Sequence, residues 1–387
     1  MGVPKLRFKA DDGSDFPDWT YRTFGSVVEE FNDRTTTENE DVLLSCAIDG
    51  MYLNSELFGH QRGASNIGYK KITKGALILS MQNLHLGNAN VNTRFEHGIV
   101  SPAYKTFHIV GCLTEFMSAW VKRHAARIFF YDATTVGASQ CRRNVDWEEL
   151  YQQTIAVPSP LEQRKIADLL SAVDDVIAAQ EAEVAAWEKR KKGVMQKLFR
   201  QEVRFKADDG SDFPDWEEKT LGDICMYERQ RSEGANFIGT ENMLKDFGGV
   251  AFDNSKADGS GTLYHPGDTL MSNIRPYLKK AWLADRKGTC STDVLVFHPT
   301  SEEPGYLYWL IASDAFVRYV MSAAKGSKMP RGDKKHIMEM PLLLPNKDEQ
   351  RKIDDCLSSL NDVIIKAKNE LAKWQELKKG LLQQMFV

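Results

Sequence analysis

A set of polar side chains, gathered in two stretches of the chain, is of the kind that binds nucleic acid. In the first stretch they are Asn66, Tyr69, Lys70, Lys71, Gln82, Asn83, His85, Arg94, Arg142 and Arg143; in the second, Arg275, Tyr277, Lys279, Lys280, Lys328, Arg331, Lys334 and Lys335. Lysine and arginine neutralise phosphates, while Asn, Gln and Arg offer the donors and acceptors that fit base edges. The net charge of -4 argues against a uniformly basic protein, but the charge is segregated. His60 to Arg143 holds 11 Lys plus Arg against 3 acids, and Thr20 to Gly59 holds 2 against 8. Arg275 to Lys335 has 11 against 6, and Glu217 to Ile274 has 5 against 10. A solvated charged face would look the same in one stretch; its recurrence in the same half of both favours a ligand. The Gly-Ser basic loops Gly137 to Arg143 and Gly326 to Lys335 rank highest, since they hold the same place in both and combine glycine with paired cations.

Other chemistries lack their residues. There is no G-x-x-x-x-G-K-[ST] loop for ATP, no Asn-Pro-Pro-aromatic motif of an adenine methyltransferase and no H-E-x-x-H; Gly259-Ser-Gly261 stands alone. Pro214-Asp215-Trp-Glu217-Glu-Lys219 hints at a PD-(D/E)xK nuclease pattern, but its two halves abut where a hairpin must separate them. Cys46, Cys112, Cys141, Cys225, Cys290 and Cys356 are scattered without a C-x-x-C pair, and read as buried thiols of a reducing compartment. No signal pattern or long apolar run is present, so a cytoplasmic location with no membrane contact is expected.

The elements that must position the candidates come in duplicate. Glu162 to Phe199 and Glu349 to Phe386 are identical at 19 of 38 positions with an offset of 187, and RFKADDGSDFPDW occurs at Arg7 to Trp19 and again at Arg204 to Trp216. Such repeats settle the architecture before any other reading. Each long segment shows apolar residues three and four apart: Ile166, Leu170, Val173, Ile177, Val184 and Trp187 in the first, Ile353, Leu357, Leu360, Ile364, Leu371 and Trp374 in the second. This spacing predicts two helices with a narrow seam, interrupted at Gln180, Lys191 and Lys378, that pack on each other. Ser159-Pro160-Leu161-Glu162 and Asn346-Lys347-Asp348-Glu349 mark their starts, with the glutamate three residues after the cap as in a capping box.

Between lead-in and helix, each module has strand-like runs at Val42 to Ile48, Ala76 to Ser80 and Tyr104 to Val110, and at Thr269 to Ser272 and Asp293 to His298. A helical run follows, Leu113 to Phe130 or Gly305 to Ala324, then the basic loop and an apolar strand ending in Pro158 or Pro345. The Asp-rich lead-in lacks the glutamate of a calcium loop, and its Gly-Ser turn, Pro and Trp suit a structural role.

In this order, two globular segments each followed by Pro, Glu-Gln-Arg-Lys-Ile and a long helix ending in Lys-Lys-Gly then Phe resemble the specificity subunit of type I restriction-modification enzymes. His265-Pro-Gly-Asp268, Ile274-Arg-Pro-Tyr277 and Gly98-Ile-Val-Ser-Pro-Ala-Tyr104 add to the resemblance, which covers nearly the whole chain. It implies an α+β fold with an internal two-fold repeat: two globular α/β target-recognition domains, 1–158 and 201–345, separated by two long antiparallel coiled-coil helices, 159–200 and 346–387. It further implies a non-catalytic reader of double-stranded DNA, each domain taking one half of an asymmetric bipartite target. The helices would dock two methyltransferase subunits, which restriction subunits join, with S-adenosylmethionine, ATP and Mg2+ on those partners and none on this chain. The rival expectations are a freestanding coiled-coil DNA-binding or scaffold protein, and a Mg2+-dependent hydrolase acting alone.

Overall fold

The computed structural model describes residues 4–58, 65–139, 142–252 and 258–386; the side chains of 137–139, 142 and 258 lie outside that description. Two compact units divide the chain, 1–182 with 369–387 and 183–368.

The first unit contains β1 (Thr20–Thr23), β2 (Val28–Phe31), β3 (Leu44–Cys46), β4 (Met51–Leu53), α1 (Asn54–Phe58), β5 (Lys70–Thr73), β6 (Leu77–Ser80), β7 (Ala89–Val91), β8 (His97–Val100) and β9 (Tyr104–Ile109). Then come α2 (Thr114–Trp120), α3 (His124–Asp132), β10 (Thr134–Ser139), β11 (Arg142–Val145), α4 (Trp147–Gln152), β12 (Thr154–Val157) and the start of α5 (Pro160–Phe199). The second unit contains α6 (Leu221–Ile224), α7 (Pro304–Ile311), α8 (Asp314–Ser322), α9 (Lys334–Met338) and α10 (Lys347–Gln384) as far as residue 368. Its strands are β13 (Glu217–Thr220), β14 (Cys225–Tyr227), β15 (Arg231–Ala235), β16 (Asp258–Tyr264), β17 (Thr269–Ser272), β18 (Ala281–Leu283), β19 (Gly288–Cys290), β20 (Val294–Pro299) and β21 (Pro341–Leu344).

The plan is the same in both. A four-stranded antiparallel sheet has the order β2-β9-β6-β7 in one unit and β14-β20-β17-β18 in the other, and a two-stranded ribbon, β1-β12 or β13-β21, joins lead-in to exit. The central strands are buried throughout because successive side chains point to opposite faces and both faces are covered. Leu77 and Leu79 pack with Phe107, Phe116 and Trp120 on one face, whereas Ile78 packs with Leu44 and Ile72 on the other. In the second unit Met271 and Phe297 face α7 and α8, while Leu270 and Val296 face Ile238 and Tyr264.

The two expected helical runs are each broken in two. The break falls at Val121–Arg123 in the first unit and at Ala312–Ser313 in the second, where the Ser313 hydroxyl accepts from Phe316 N–H (3.0 Å) and starts a new helix. The stretch expected as the basic loop Gly137 to Arg143 belongs instead to an antiparallel hairpin, β10-β11, although Gln140 and Cys141 lie outside the described residues. Its counterpart is a loop closed by the Lys325–Arg331 bridge, with Gly326 at φ 100°.

The long helices begin where the caps place them: Ser159 Oγ accepts from Glu162 N–H (3.4 Å) and Asn346 Oδ1 from Glu349 N–H (2.9 Å). The glutamate side chains do not complete a capping box. Glu162 is buried and takes Arg7 Nε and Nη2 (2.9 and 2.8 Å) and Trp19 Nε1 (3.2 Å), all from the lead-in. Glu349 does the same with Arg204 (3.1 and 2.8 Å) and Trp216 (2.9 Å). The next residue is equally committed, since Gln163 accepts from Leu113 N–H and donates to Pro158 O, and Gln350 accepts from Glu303 N–H and donates to Pro345 O. The reason is burial: a carboxylate out of reach of water needs a charged partner, and the lead-in arginine supplies one.

Within each unit one part of α5 lies antiparallel to one part of α10. In the first, Asp174 meets Lys378 (2.5 Å), and Ile166 and Leu170 share a core with Met385 and Phe386. In the second, Glu188 meets Lys368 (2.6 Å), Lys191 donates to Asn361 Oδ1 (2.9 Å), and Leu198 shares a core with Ile353 and Leu357. Two seam interruptions, Lys191 and Lys378, therefore make polar contacts across the pair. Val173, Val184 and Ile364 are buried, whereas Ile177, Trp187, Leu360, Leu371 and Trp374 are half-buried. The end residues of the seam double as globular core, which heptad spacing alone does not distinguish. Cys46, Cys225 and Cys290 are buried, Cys112 and Cys356 half-buried, and none of the five is in a disulfide; Cys141 lies outside the described residues.

Candidate nucleic-acid interface

In both units the element following the central strand is a single 3-10 turn, Leu84–Leu86 after β6 and Pro276–Leu278 after β17. The first turn is closed by Gly87 at φ 90°, a conformation glycine adopts without strain. Gln82 and Asn83 are exposed beside it and His85 is half-buried. Burial, Arg143 and Arg127, in that order, lower the His85 pKa, so the turn, α3 and the hairpin bring an imidazole held neutral and two guanidinium groups together. Arg127 is not among the residues expected from the sequence; it sits in the basic run Lys122-Arg123-His124-Ala-Ala-Arg127, which reads as part of an ordinary helix. Arg143 lies 4.1 Å over the Tyr131 ring and donates to Thr134 Oγ1 (2.7 Å) and Thr134 O (2.6 Å), which braces the hairpin on which it sits. The Arg142 side chain lies outside the described residues.

The other candidates of the first unit are not gathered there. Asn66 is 1% exposed; it donates to Asn39 Oδ1 and accepts Asn39 N–H (2.9 and 2.7 Å). Lys70 is 4% exposed on β5, its pKa lowered by burial. Both are corrected from surface readers to parts of the interior, because residue type cannot reveal which polar groups the fold covers. Lys71 pairs with Glu40, Tyr69 is half-buried, and Arg94 holds Glu56 through two bonds (3.0 and 2.7 Å).

In the second unit the turn and the basic loop are joined through the backbone. Arg275 N–H donates to Pro330 O (2.8 Å) and Ile274 bridges to Arg331. Arg275 and Tyr277 are exposed, as is Lys328. Arg331 pairs with Asp293 (3.0 Å), Lys279 with Asp314 (2.8 Å), and Lys280 donates to Thr240 O (2.7 Å). Lys334 and Lys335 open α9, where the helix dipole disfavours cations; Asp333 offsets this by capping Lys335 and His336 N–H and binding Lys325, and its pKa falls to about 2. Asp268, buried, fixes the His265-Pro-Gly-Asp turn by accepting His265 N–H (2.7 Å) and facing His298 Nδ1 (2.6 Å).

Among the described residues no group of three His, Cys, Asp or Glu is placed to hold a metal, and no helix is long and apolar enough to cross a membrane. The surfaces around the two turns offer cations, amides and aromatic edges, a set suited to phosphates and bases.

Residues 214–374 match the family model described as the type I restriction modification DNA specificity domain. Among curated relatives, the EcoDI specificity subunit of Escherichia coli is 24% identical over 127 residues, 32% of this chain and 28% of that protein. The MjaVIII specificity subunit of Methanocaldococcus jannaschii is 22% identical over 269 residues, 60% of this chain and 62% of that protein. The chain thus spans less than two thirds of either relative's length. The crystal structure of a type I S subunit from M. genitalium aligns over 100% of this chain and 99% of its own, at TM-score 0.58 and 15% identity. A chain from work on complex assembly and conformational transition of the type I R-M system aligns over 95% and 97%, at TM-score 0.55 and 17% identity. At such identities the likeness is one of fold. The family match falls on the second module, and the first module repeats that module's lead-in residue for residue and shares its helix start, so the chain resembles type I restriction-modification DNA specificity subunits in sequence over one half and in fold over both.

Proposed function

We propose that this chain is the DNA-reading, non-catalytic subunit of a type I restriction-modification complex. Each globular domain reads one half of an asymmetric, bipartite double-stranded target, and the long helices dock two methyltransferase subunits to which restriction subunits bind. S-adenosylmethionine, ATP and Mg2+ belong to those partners, and the complex acts in the cytoplasm. The observation that carries the reading is the duplication itself. One scaffold occurs twice, held by the same Arg-Glu-Trp contacts, while the turns and loops it presents differ in sequence and in conformation. A reader of two unlike half-sites needs that combination of constant frame and variable surface.

The test has two arms. Incubated alone with duplex DNA, Mg2+, ATP and S-adenosylmethionine, the purified chain leaves the DNA unchanged. Expressed with its methyltransferase, it directs methylation to one bipartite sequence, read by methylome sequencing. Cleavage or methylation by the chain free of other subunits overturns the proposal, as does a methylome that does not change when the chain is deleted.

A further inference from the structure

Four residues other than glycine hold left-handed backbone within two touching segments of the second unit: Asp246 (φ 54°), Phe247 (60°), Arg275 (51°) and Lys279 (54°). L residues with a side chain avoid this region, so such a cluster persists only where the surroundings enforce it. Here they do so from two sides. Asp246 N–H donates to Leu278 O (3.1 Å) and Phe247 N–H to Lys279 O (2.6 Å); opposite, Arg275 N–H is held by Pro330 O (2.8 Å).

What the strained turn gathers is positive charge. Lys280 is fixed at the end of the turn by Thr240 O (2.7 Å), and its pKa is lowered by burial first and by Lys245 next, with Arg275 adding to this and Glu241 opposing. Lys245 is exposed on the loop whose next two residues are left-handed. Of the neighbouring cations, Lys279 and Arg331 are taken by Asp314 and Asp293. Among the described residues nothing is bound to the exposed Arg275 guanidinium or to the Lys245 ammonium. Like charges brought together repel, and an anion between them turns that repulsion into attraction.

We infer that the Arg275–Lys279 turn is a phosphate-binding site in which Arg275 and Lys245, with Lys280 beneath, take a phosphodiester oxygen of DNA. The inference rests on the DNA-reading function proposed above, and it assigns this turn to holding the duplex, not to reading its sequence. A base edge asks for one side chain with a matched pair of donors, whereas a converging set of cations answers to charge and carries no sequence information. The corresponding turn of the first unit has neither an arginine nor a left-handed residue other than Gly87, so the anchor belongs to the second unit.

The full chain is titrated over a salt series onto two duplexes, one carrying the methylated target and one scrambled. Arg275→Ala and Lys245→Ala each weaken binding to both duplexes by the same factor and lower the slope of log K against log salt by about 1, and Arg275→Lys restores the slope. The methylated sequence stays the same. Loss confined to the target duplex makes Arg275 a base reader and overturns the inference, as does unchanged affinity. Lys245→Ala alters only an exposed side chain, so a misfolded Arg275 variant leaves the inference open to refutation. Inorganic phosphate is titrated separately: if the wild-type chain binds it while Arg275→Ala binds DNA normally, the site serves a free anion and the inference falls. Should the wild-type chain, alone and with its methyltransferase, bind neither duplex, the DNA-reading function itself fails.

Discussion

The two modules hold their lead-ins alike and present their surfaces differently. Arg7, Trp19 and Glu162 meet as Arg204, Trp216 and Glu349 do, and Lys165 reaches Asp11 as Lys352 reaches Asp208, both at 2.5 Å. Even the junctions correspond: Leu6 N–H binds Gln384 O (2.9 Å) where Val203 N–H binds Lys197 O (3.4 Å). At the turns the likeness ends. The first unit gathers His85, Arg127 and Arg143 on relaxed backbone, with Arg143 tied to its own hairpin; the second holds Arg275 on strained backbone with its guanidinium exposed. Fixed contacts around each helix start let the surface vary without endangering the fold.

The largest effect follows from the clasps. Glu162→Ala removes the carboxylate that holds Arg7 and the Trp19 N–H, and Glu349→Ala does the same to Arg204 and Trp216; because both arginines stay partly exposed and keep carbonyl partners, the cost falls below the about 3 to 5 kcal/mol of a fully buried pair. Hydrogen exchange read by mass spectrometry should show each variant loosening its own unit, with the other protected as in wild type. Equal loosening of both units by one substitution would refute the independence of the two frames.

A difference buried deeper comes next. Lys122, in the three-residue break after α2, donates to Ile48 O (3.1 Å) and to Asn90 Oδ1, and the break after α7, which holds only Ala312 and Ser313, has no lysine. Burial outweighs the nearby Cys46 and Asp49, Lys378 adds to its effect, and the Lys122 pKa falls to about 8 from 10.5. Between those values the unfolded chain binds the extra proton, so stability rises with pH across the window and is lowest below it. The gain is at most about 3 kcal/mol. Urea midpoints of the full chain should climb from pH 8 to pH 10.5 and climb less in Lys122→Met; parallel curves would mean that the folded lysine titrates like a free one.

Much of this frame was legible because it is local or duplicated. Leu77–Ser80 and Thr269–Ser272 are apolar runs between turn residues, and both long helices carry their own caps. The clasp is not legible in the sequence, because Arg7 and Glu162 lie 155 residues apart and a glutamate three places after a cap has an obvious local use. The joint recurrence of lead-in and Glu-Gln-Arg-Lys was the available sign. Exposure was the harder matter. Asn66, Lys70 and Arg127 all belong to the same basic stretch, and yet the first two are interior and the third is exposed.

The candidate surfaces themselves come third. Arg143→Ala should weaken recognition of one half-site and Arg331→Ala of the other, by about 1 to 3 kcal/mol for each base edge left without its donor. Duplexes with a single half-site scrambled separate the two. A loss that is the same on every duplex would reassign either arginine to phosphate or to bracing its own loop, as its bonds to Thr134 or Asp293 allow.

The smallest effect tests how the same helix break is made by different means. Ser313 caps α8 with its hydroxyl, whereas Arg123, at the same place before α3, makes no side-chain cap. Arg123 instead lies over the Trp120 and Phe386 rings (4.8 and 5.0 Å) and donates to Trp120 O (3.2 Å), and burial lowers its pKa to about 10. One unit thus stops the first helix by packing a cation against aromatic rings, and the other starts the second helix with a hydrogen bond. Ser313→Ala removes only that bond and should cost about 1 kcal/mol. Hydrogen exchange should quicken at Phe316 and its neighbours while the first unit is unaffected. If protection there is unchanged, the break is set by the packing of Phe316 and Val320, both fully buried, and the cap is incidental.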